Sequence, residues 1–119
     1  MNDYEFELPW PPSVNGYWRN WQHRQIISKR GRTYRQQAIE HLQGLSLDHE
    51  MIDIPVAVSL DLCPPTLRKY DIDNFTKGIF DALSLAQFWT DDVLVDVLKI
   101  YKRPKMKGGG VKLKVSSLD

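Results

Sequence analysis

The stretch IPVAVSLDL, residues 54–62, alternates between apolar and small or polar side chains. Because successive side chains of a strand point to opposite faces, this alternation predicts a half-buried β-strand. Pro64 and Pro65 end it, since proline donates no hydrogen bond to a ladder. Similar patterns predict strands at residues 4–8, 93–102 and 111–115. We expect the last two strands to pair as an antiparallel hairpin across a glycine-rich turn.

Apolar residues at helical spacing predict two helices. The first covers residues 33–45, and either Ser28 or Thr33 is a suitable N-cap. The second covers residues 73–87. The apolar stripe of the first helix consists of Tyr34, Ala38, Leu42 and Leu45, and that of the second of Phe75, Ile79, Ala82, Leu83 and Ala86.

The order of these elements, β-α-β-α-β-β, predicts an α/β (α+β) fold. We expect a single small domain over residues 1–119, with a mixed β-sheet of about four strands and two main helices packed on it. Residues 9–24 are rich in proline, asparagine, glycine and aromatic side chains, and they are interpreted as a long functional loop.

Composition excludes several classes of protein. The longest uncharged apolar stretch, residues 54–58, is far too short for a membrane span, and the N-terminus lacks the pattern of a signal peptide. We therefore expect a cytoplasmic protein. The single cysteine, Cys63, excludes an intrachain disulfide and a multi-cysteine zinc site. The histidines His23, His41 and His49 do not repeat at ligand spacing.

Charge is unevenly distributed, although the net charge is only +1. Residues 17–36 carry six basic and no acidic side chains, and residues 99–119 carry seven basic and one acidic. The first block is interleaved with aromatic residues, a combination that suits a phosphate backbone and exposed bases. A solvated surface is the simpler interpretation of any one basic run, but two such blocks favour a polyanionic partner.

The stretch DIDNFTK, residues 71–77, carries the densest group of chemically useful side chains. Asp71 and Asp73 share a face in extended chain, and Asp73 and Lys77 share a face of a helix. A second acidic pair, Asp91 and Asp92, follows the helix. Three or four carboxylates with one lysine form a composition typical of a magnesium site, at which a bound ion activates water and neutralises a phosphodiester.

A purely structural interpretation remains open on these spacings. Asp73 or Asn74 is a plausible N-cap, and Asp73 with Lys77 makes an ordinary surface ion pair, worth about 0.3–0.5 kcal/mol. Asp91 and Asp92 suit a turn before a strand.

Four stretches resemble the RusA family of Holliday-junction resolvases, which occur in bacteria and their prophages. They are LPWPPSVN (residues 8–15), DIDNFTK running on to FDAL (residues 71–83), FWTDD (residues 88–92) and KGG (residues 107–109). Their order and spacing match over essentially the whole chain. The resemblance implies a homodimeric endonuclease of a bacterial or phage-infected cell that uses Mg²⁺, with Mn²⁺ as a substitute, and no organic cofactor. The implied enzyme binds four-way junction DNA and makes symmetric paired nicks during recombination and repair.

The resemblance also assigns roles to individual residues. Asp71, Asp73 and Asp92 are implied as metal-binding catalytic carboxylates, with Lys77 as the catalytic lysine. Asp91 is implied as a further metal ligand. The DNA-binding residues expected from the resemblance and from the basic blocks are Asn15, Arg19, Arg68, Lys69, Asn74, Lys105 and Lys107. One departure is that Tyr70 separates a short basic run from the first aspartate, where members of the family often carry a longer run.

Phe80 and Phe88 lie toward the polar side of the second predicted helix. We expect them to face a partner subunit or distorted DNA, or else to be buried under the N-terminal loop. Two other functions remain open: a Mg²⁺ nuclease for other branched DNA, and a non-catalytic module that binds junctions by shape. Changing aspartate to asparagine would abolish cutting in an enzyme but alter only affinity in a binding module.

Overall fold

A computed structural model describes residues 3–45 and 50–118, and its main sheet has four strands in the order β1-β6-β4-β5. Strand β4 is parallel to β5 and antiparallel to β6, which is itself antiparallel to β1. The strands of this sheet are β1 (Asp3–Leu8), β4 (Val56–Cys63), β5 (Val95–Lys102) and β6 (Gly110–Ser117); the others form a hairpin, β2 (Trp18–Trp21) and β3 (Arg24–Ile27). The helices are α1 (Val14–Tyr17), α2 (Lys29–Gly44) and α3 (Thr76–Leu85). The predicted mixed sheet and its class are confirmed.

The predicted hairpin between the last two strands is wrong. Strand β6 does not pair with β5, because it inserts between β1 and β4 and forms ladders with both. Its alternate residues Val111, Leu113 and Val115 are buried, so a central position covers more apolar surface. Strand β5 is more exposed and lies at the edge.

Helices α2 and α3 pack against each other and cover one face of the sheet. The backbone N–H of Gly31 donates to the Ser28 hydroxyl over 3.0 Å, so Ser28 is the N-cap and α2 begins four residues before the predicted start. Of the predicted apolar stripe, only Leu45 is exposed, because α2 ends at Gly44.

Helix α3 is shorter than the predicted span of residues 73–87, and neither Asp73 nor Asn74 caps it. The N-cap is Phe75, whose side chain forms no capping hydrogen bond. After α3, Gln87 adopts a positive φ of 61° and reverses the chain. This reversal carries Phe88 into the core, where its ring packs edge-on against Tyr4 and Phe6 of β1. Phe88 is only 3% exposed, so the expectation that it faces a partner or DNA is wrong.

The interpretation of residues 9–24 as a long loop is also wrong. Ser13 caps the single turn of α1, and the chain then forms the β2–β3 hairpin around a two-residue turn at Gln22 and His23. Neither residue is a usual signal for such a turn, in which glycine or asparagine is favoured. His49 lies outside the described residues. Within the described part of the chain, no helix is long and apolar enough to cross a membrane.

Candidate active site

Lys77 lies in the first turn of α3, and its ammonium is held on two sides. Its Nζ lies 3.2 Å from Oδ1 of Asp81, one helical turn along α3. It also lies 5.6 Å from the centre of the Trp18 ring, at the base of the β2–β3 hairpin. The lysine side chain is 41% exposed, so its charge remains accessible to a ligand.

Asp81 is fixed in turn by a buried tyrosine. The hydroxyl of Tyr17 donates to Oδ2 of Asp81 over 2.9 Å, and Arg35 of α2 donates to the Tyr17 hydroxyl over 3.0 Å. Burial, opposed by the Arg35 hydrogen bond, raises the pKa of Tyr17 from 10.0 to about 12. Tyr17 therefore stays a neutral donor, and three elements (α1, α2 and α3) converge on the aspartate that holds Lys77.

Asp91 and Asp92 lie at the turn that precedes β5, and Asp92 is close enough to Lys77 to be affected by its charge. The Asp91 carboxylate accepts from the backbone N–H of Val93 over 3.0 Å, and this bond, with a second from the Asp92 side chain, lowers the pKa of Asp91. Burial raises the pKa of Asp92, as does the hydrogen bond with Asp91, while the charge of Lys77 lowers it. The charge of Lys77 therefore reaches Asp92 from the first turn of α3.

Asp71 and Asp73 lie on the exposed turn that leads into α3. The turn is tied to the N-terminal segment, because the backbone N–H of Val14 donates to the Asn74 carbonyl over 2.7 Å. Asn15 is exposed and follows Val14 directly. The backbone thus brings predicted residues from two distant stretches, Asn15 with Asp73 and Asn74, to one corner of the molecule.

An open groove of about 910 Å³ begins at this corner. Its polar lining includes predicted residues and two basic residues that the sequence did not single out, Arg30 and Lys102. Lys102 donates to the Tyr70 carbonyl over 2.6 Å and lies 4.4 Å from the centre of the Tyr70 ring. The charged and amide side chains that line the groove are Arg30, Arg68, Lys69, Asp71, Asn74 and Lys102.

Three predicted DNA-binding residues lie elsewhere. Arg19 is exposed on strand β2, and Lys105 and Lys107 are exposed on the loop between β5 and β6; none of the three lines the groove. That loop packs against the end of β4, since the Met106 N–H donates to the Pro64 carbonyl over 2.8 Å.

The sequence matches the family model of endodeoxyribonuclease RusA over residues 9–116. It is 38% identical over 118 residues to the crossover junction endodeoxyribonuclease RusA of Enterobacteria phage 82, covering 99% of this chain and 98% of the relative. Its identity to the proteins of the same name from Shigella sonnei strain Ss046 and Escherichia coli strain K12 is 37% and 36%, with the same coverage. The chain belongs to the RusA family of endodeoxyribonucleases.

Membership in the RusA family raises the question whether the acidic residues near Lys77 can hold a metal ion. Among the residues that the structure describes, no three His, Cys, Asp or Glu side chains form a ready-made metal centre. The donor chemistry nevertheless fits a hard divalent cation, because Asp91 and Asp92 place two hydrogen-bonded carboxylates side by side at a partly open position. Such a pair is unfavourable when both members are ionised, and a cation would relieve it.

Sequence reasoning missed several members of this RusA-family site. Tyr17 and Arg35 belong to different elements, and only the α1–α2–α3 packing brings them to Asp81. A signal was present for Asp81 itself, because it lies four residues after Lys77 and so on the same helical face.

Proposed function

We propose that this protein is a divalent-metal-dependent endonuclease that resolves four-way DNA junctions, with Mg²⁺ as the natural ion and Mn²⁺ as a substitute. The observation that carries the proposal is that the charge of Lys77 reaches Asp92 from the first turn of α3, which directly follows the turn that lines a basic groove, in a chain of the RusA family. The RusA proteins to which the chain is similar are named crossover junction endodeoxyribonucleases, which supports a four-way junction as the substrate.

The metal would be held by carboxylates of Asp71, Asp73, Asp91 and Asp92. When bound, the ion would supply an activated water and neutralise charge on the scissile phosphodiester. The side chains of the protein would stabilise the developing charge. Lys77 offers a fixed ammonium to the charge that builds on the phosphoryl oxygens, and Asp81 keeps that ammonium in position before the substrate arrives.

The basic residues that line the groove favour DNA binding next to the proposed metal site. Arg68 and Lys69 are exposed beside Asp71, so they can contact the phosphates that flank the scissile bond. Asn74 and Asn15 offer amide donors at the same place. Acidic side chains so close to a phosphate backbone would repel DNA unless a cation binds with them, which favours an enzyme over a module that only binds.

The homodimer is part of the same proposal. Strand β5 lies at the edge of the sheet and exposes Val97, Leu98 and Tyr101, each about two-fifths exposed. An open apolar edge of this kind is a template for pairing with another strand. A second copy placed there would cover it and give two active sites for two symmetric nicks. The mass of the protein in solution, compared with that of Leu98→Glu, tests this arrangement.

The function is tested by incubating the protein with a four-way junction and with a linear duplex of the same sequence, with Mg²⁺ and with EDTA. We expect paired nicks in the junction only, and only with Mg²⁺. Junction binding without cutting in any divalent metal would contradict the enzyme, and equal cutting of the duplex would contradict junction specificity.

A further inference from the structure

The β2–β3 hairpin stands out from the body of the protein and carries only neutral and basic side chains. All seven residues from Arg19 to Gln25 are exposed, and residues 18–27 contain no acidic residue. The strands pack chiefly against each other and, at the base, against α1. The base is firmly anchored, because the Ser28 N–H donates to the Tyr17 carbonyl over 2.9 Å and the Ser28 hydroxyl donates to the Gly16 carbonyl over 2.6 Å.

The tip presents an indole. Trp21 and Arg24 are cross-strand partners on either side of the turn, and the Arg24 guanidinium lies 5.9 Å from the centre of the Trp21 ring. Trp21 is nevertheless 44% exposed, which is unusual for so large an apolar side chain. An exposed indole with a neighbouring guanidinium is the arrangement that stacks on an unpaired base while a nearby phosphate is neutralised.

The turn of the hairpin has a backbone conformation that is unfavourable for the residues that form it. Gln22 and His23 both adopt positive φ, 49° and 62°, a conformation that glycine and asparagine adopt at lower cost. The two residues keep polar side chains at the most exposed point of the hairpin, where backbone strain is often associated with a binding element.

The hairpin begins beside Lys77, the proposed catalytic lysine. The Trp18 ring lies 5.6 Å from Lys77 Nζ and packs edge-on against Tyr17, whose hydroxyl bonds to Asp81. Trp21 is three residues further along a strand, roughly 10 Å at the usual rise per residue. That distance corresponds to roughly three base steps of a DNA strand.

We propose that the β2–β3 hairpin recognises the branch point of the junction: Trp21 stacks on a base face exposed there, within a few nucleotides of the scissile phosphate, while Arg24 contacts the adjoining phosphate. This inference rests on the proposed function, since it assigns the hairpin to the same DNA substrate. A four-way junction exposes base faces at its centre that a continuous duplex keeps stacked, so the hairpin contributes to discrimination between the two.

The test compares Trp21→Ala with Met51→Ala. Met51 is the control, because its large apolar side chain is 48% exposed and it lies outside the hairpin, the groove and strand β5. We expect Trp21→Ala to weaken junction binding about five-fold or more, the lower end of the effect of one base–aromatic stack. Linear duplex binding and the thermal midpoint should be unchanged, and Trp21→Phe should recover most of the affinity.

A second readout locates the contact. A junction carrying 5-iodouracil at the branch point is irradiated in complex with the protein, and the crosslinked peptide is identified by mass spectrometry. We expect a crosslink to Trp21 in the wild type and in Met51→Ala, and its loss in Trp21→Ala. Unchanged junction affinity and crosslinking in Trp21→Ala would overturn the inference, as would equal losses on junction and duplex. If the wild type itself does not prefer the junction, the proposed function fails instead.

Discussion

The ammonium of Lys77 lies 3.2 Å from the carboxylate of Asp81, one turn further along the same helix. The two oxygens of Asp81 have different partners, since Oδ1 faces Lys77 and Oδ2 accepts from the Tyr17 hydroxyl. Asp81 therefore cannot follow the lysine as a mobile surface partner would. Its position is set by the packing of α1 and α2, so the lysine is ordered before any substrate binds.

Replacing Asp81 with Asn should lower kcat about ten-fold and leave junction affinity almost unchanged, because Asp81 positions the lysine and does not touch DNA. Single-turnover cleavage and a binding titration measure the two effects separately. The matched control is Asp61→Asn, which breaks another aspartate ion pair, with Arg103 at 2.8 Å. Equal rates for Asp81→Asn and the wild type would show that the ion pair has no part in catalysis.

The Tyr17 hydroxyl should contribute stability that disappears in alkali. The pKa of Tyr17 is about 12 in the folded protein and 10.0 as its ordinary value, so the unfolded chain loses this proton first. The free energy of unfolding should therefore fall as the pH rises from 10 to 12. Tyr17→Phe should be less stable near neutrality by roughly 1–2 kcal/mol, and its unfolding free energy should depend less on pH in that window. Urea titrations at several pH values test this, and parallel curves for the two proteins would contradict it.

Asp92→Asn should raise the thermal stability of the metal-free protein and abolish its stabilisation by Mg²⁺. Without metal, the change relieves the unfavourable pairing of Asp91 and Asp92, so the thermal midpoint should rise slightly. Adding Mg²⁺ should raise the midpoint of the wild type but not that of the variant, because a ligand stabilises only the fold that binds it. Calorimetry with EDTA and with excess Mg²⁺ measures both effects. A variant that responds to Mg²⁺ as the wild type does would remove Asp92 from the metal site.

Lys102→Ala should weaken junction binding and reduce its salt dependence. If Lys102 contacts one phosphate along the groove, the slope of log affinity against log salt should fall by about 0.9. Lys114→Ala is the control, since it removes the same charge from the sheet face that α2 and α3 leave uncovered, where Lys114 pairs with Glu5. Identical slopes for both variants would show that the groove does not carry DNA.

Gly108 and Gly109 should differ in their tolerance of a side chain. Both have positive φ, 78° and 69°, but a Cβ on Gly109 would lie 2.9 Å from Pro65 Cδ and 3.0 Å from Trp10 Cβ. A Cβ on Gly108 would meet nothing within 4 Å. Gly108→Ala should therefore cost about 1 kcal/mol of backbone strain, and Gly109→Ala clearly more. Chemical denaturation ranks them, and equal losses would contradict the contact with Trp10.

The elements with strong periodic patterns could be predicted from the sequence. Alternation located β4, and helical spacing located the buried faces of α2 and α3, including Ala38 and Ile79. The order of strands could not be predicted, because β6 is buried by pairing with β1, which is distant in sequence. The β2–β3 hairpin was missed because its turn residues, Gln22 and His23, carry no turn signal.

Some residues of the candidate site could likewise be predicted from the sequence and others could not. Local spacing brought Lys77 and the acidic pairs into consideration, and the structure adds that the charge of Lys77 reaches Asp92. Arg35 and Lys102 could not be predicted, since their roles depend on which elements the packing places beside Tyr17 and Tyr70. The metal ligands remain a prediction.

The most direct test of the account is single-turnover cleavage of a four-way junction by the wild type, Asp92→Asn and Lys77→Ala, with junction binding measured on the same samples. We predict that both variants bind the junction at least half as tightly as the wild type and cut it at least a hundred-fold more slowly in Mg²⁺. Cleavage by either variant at the wild-type rate would contradict the assignment of this corner as the active site.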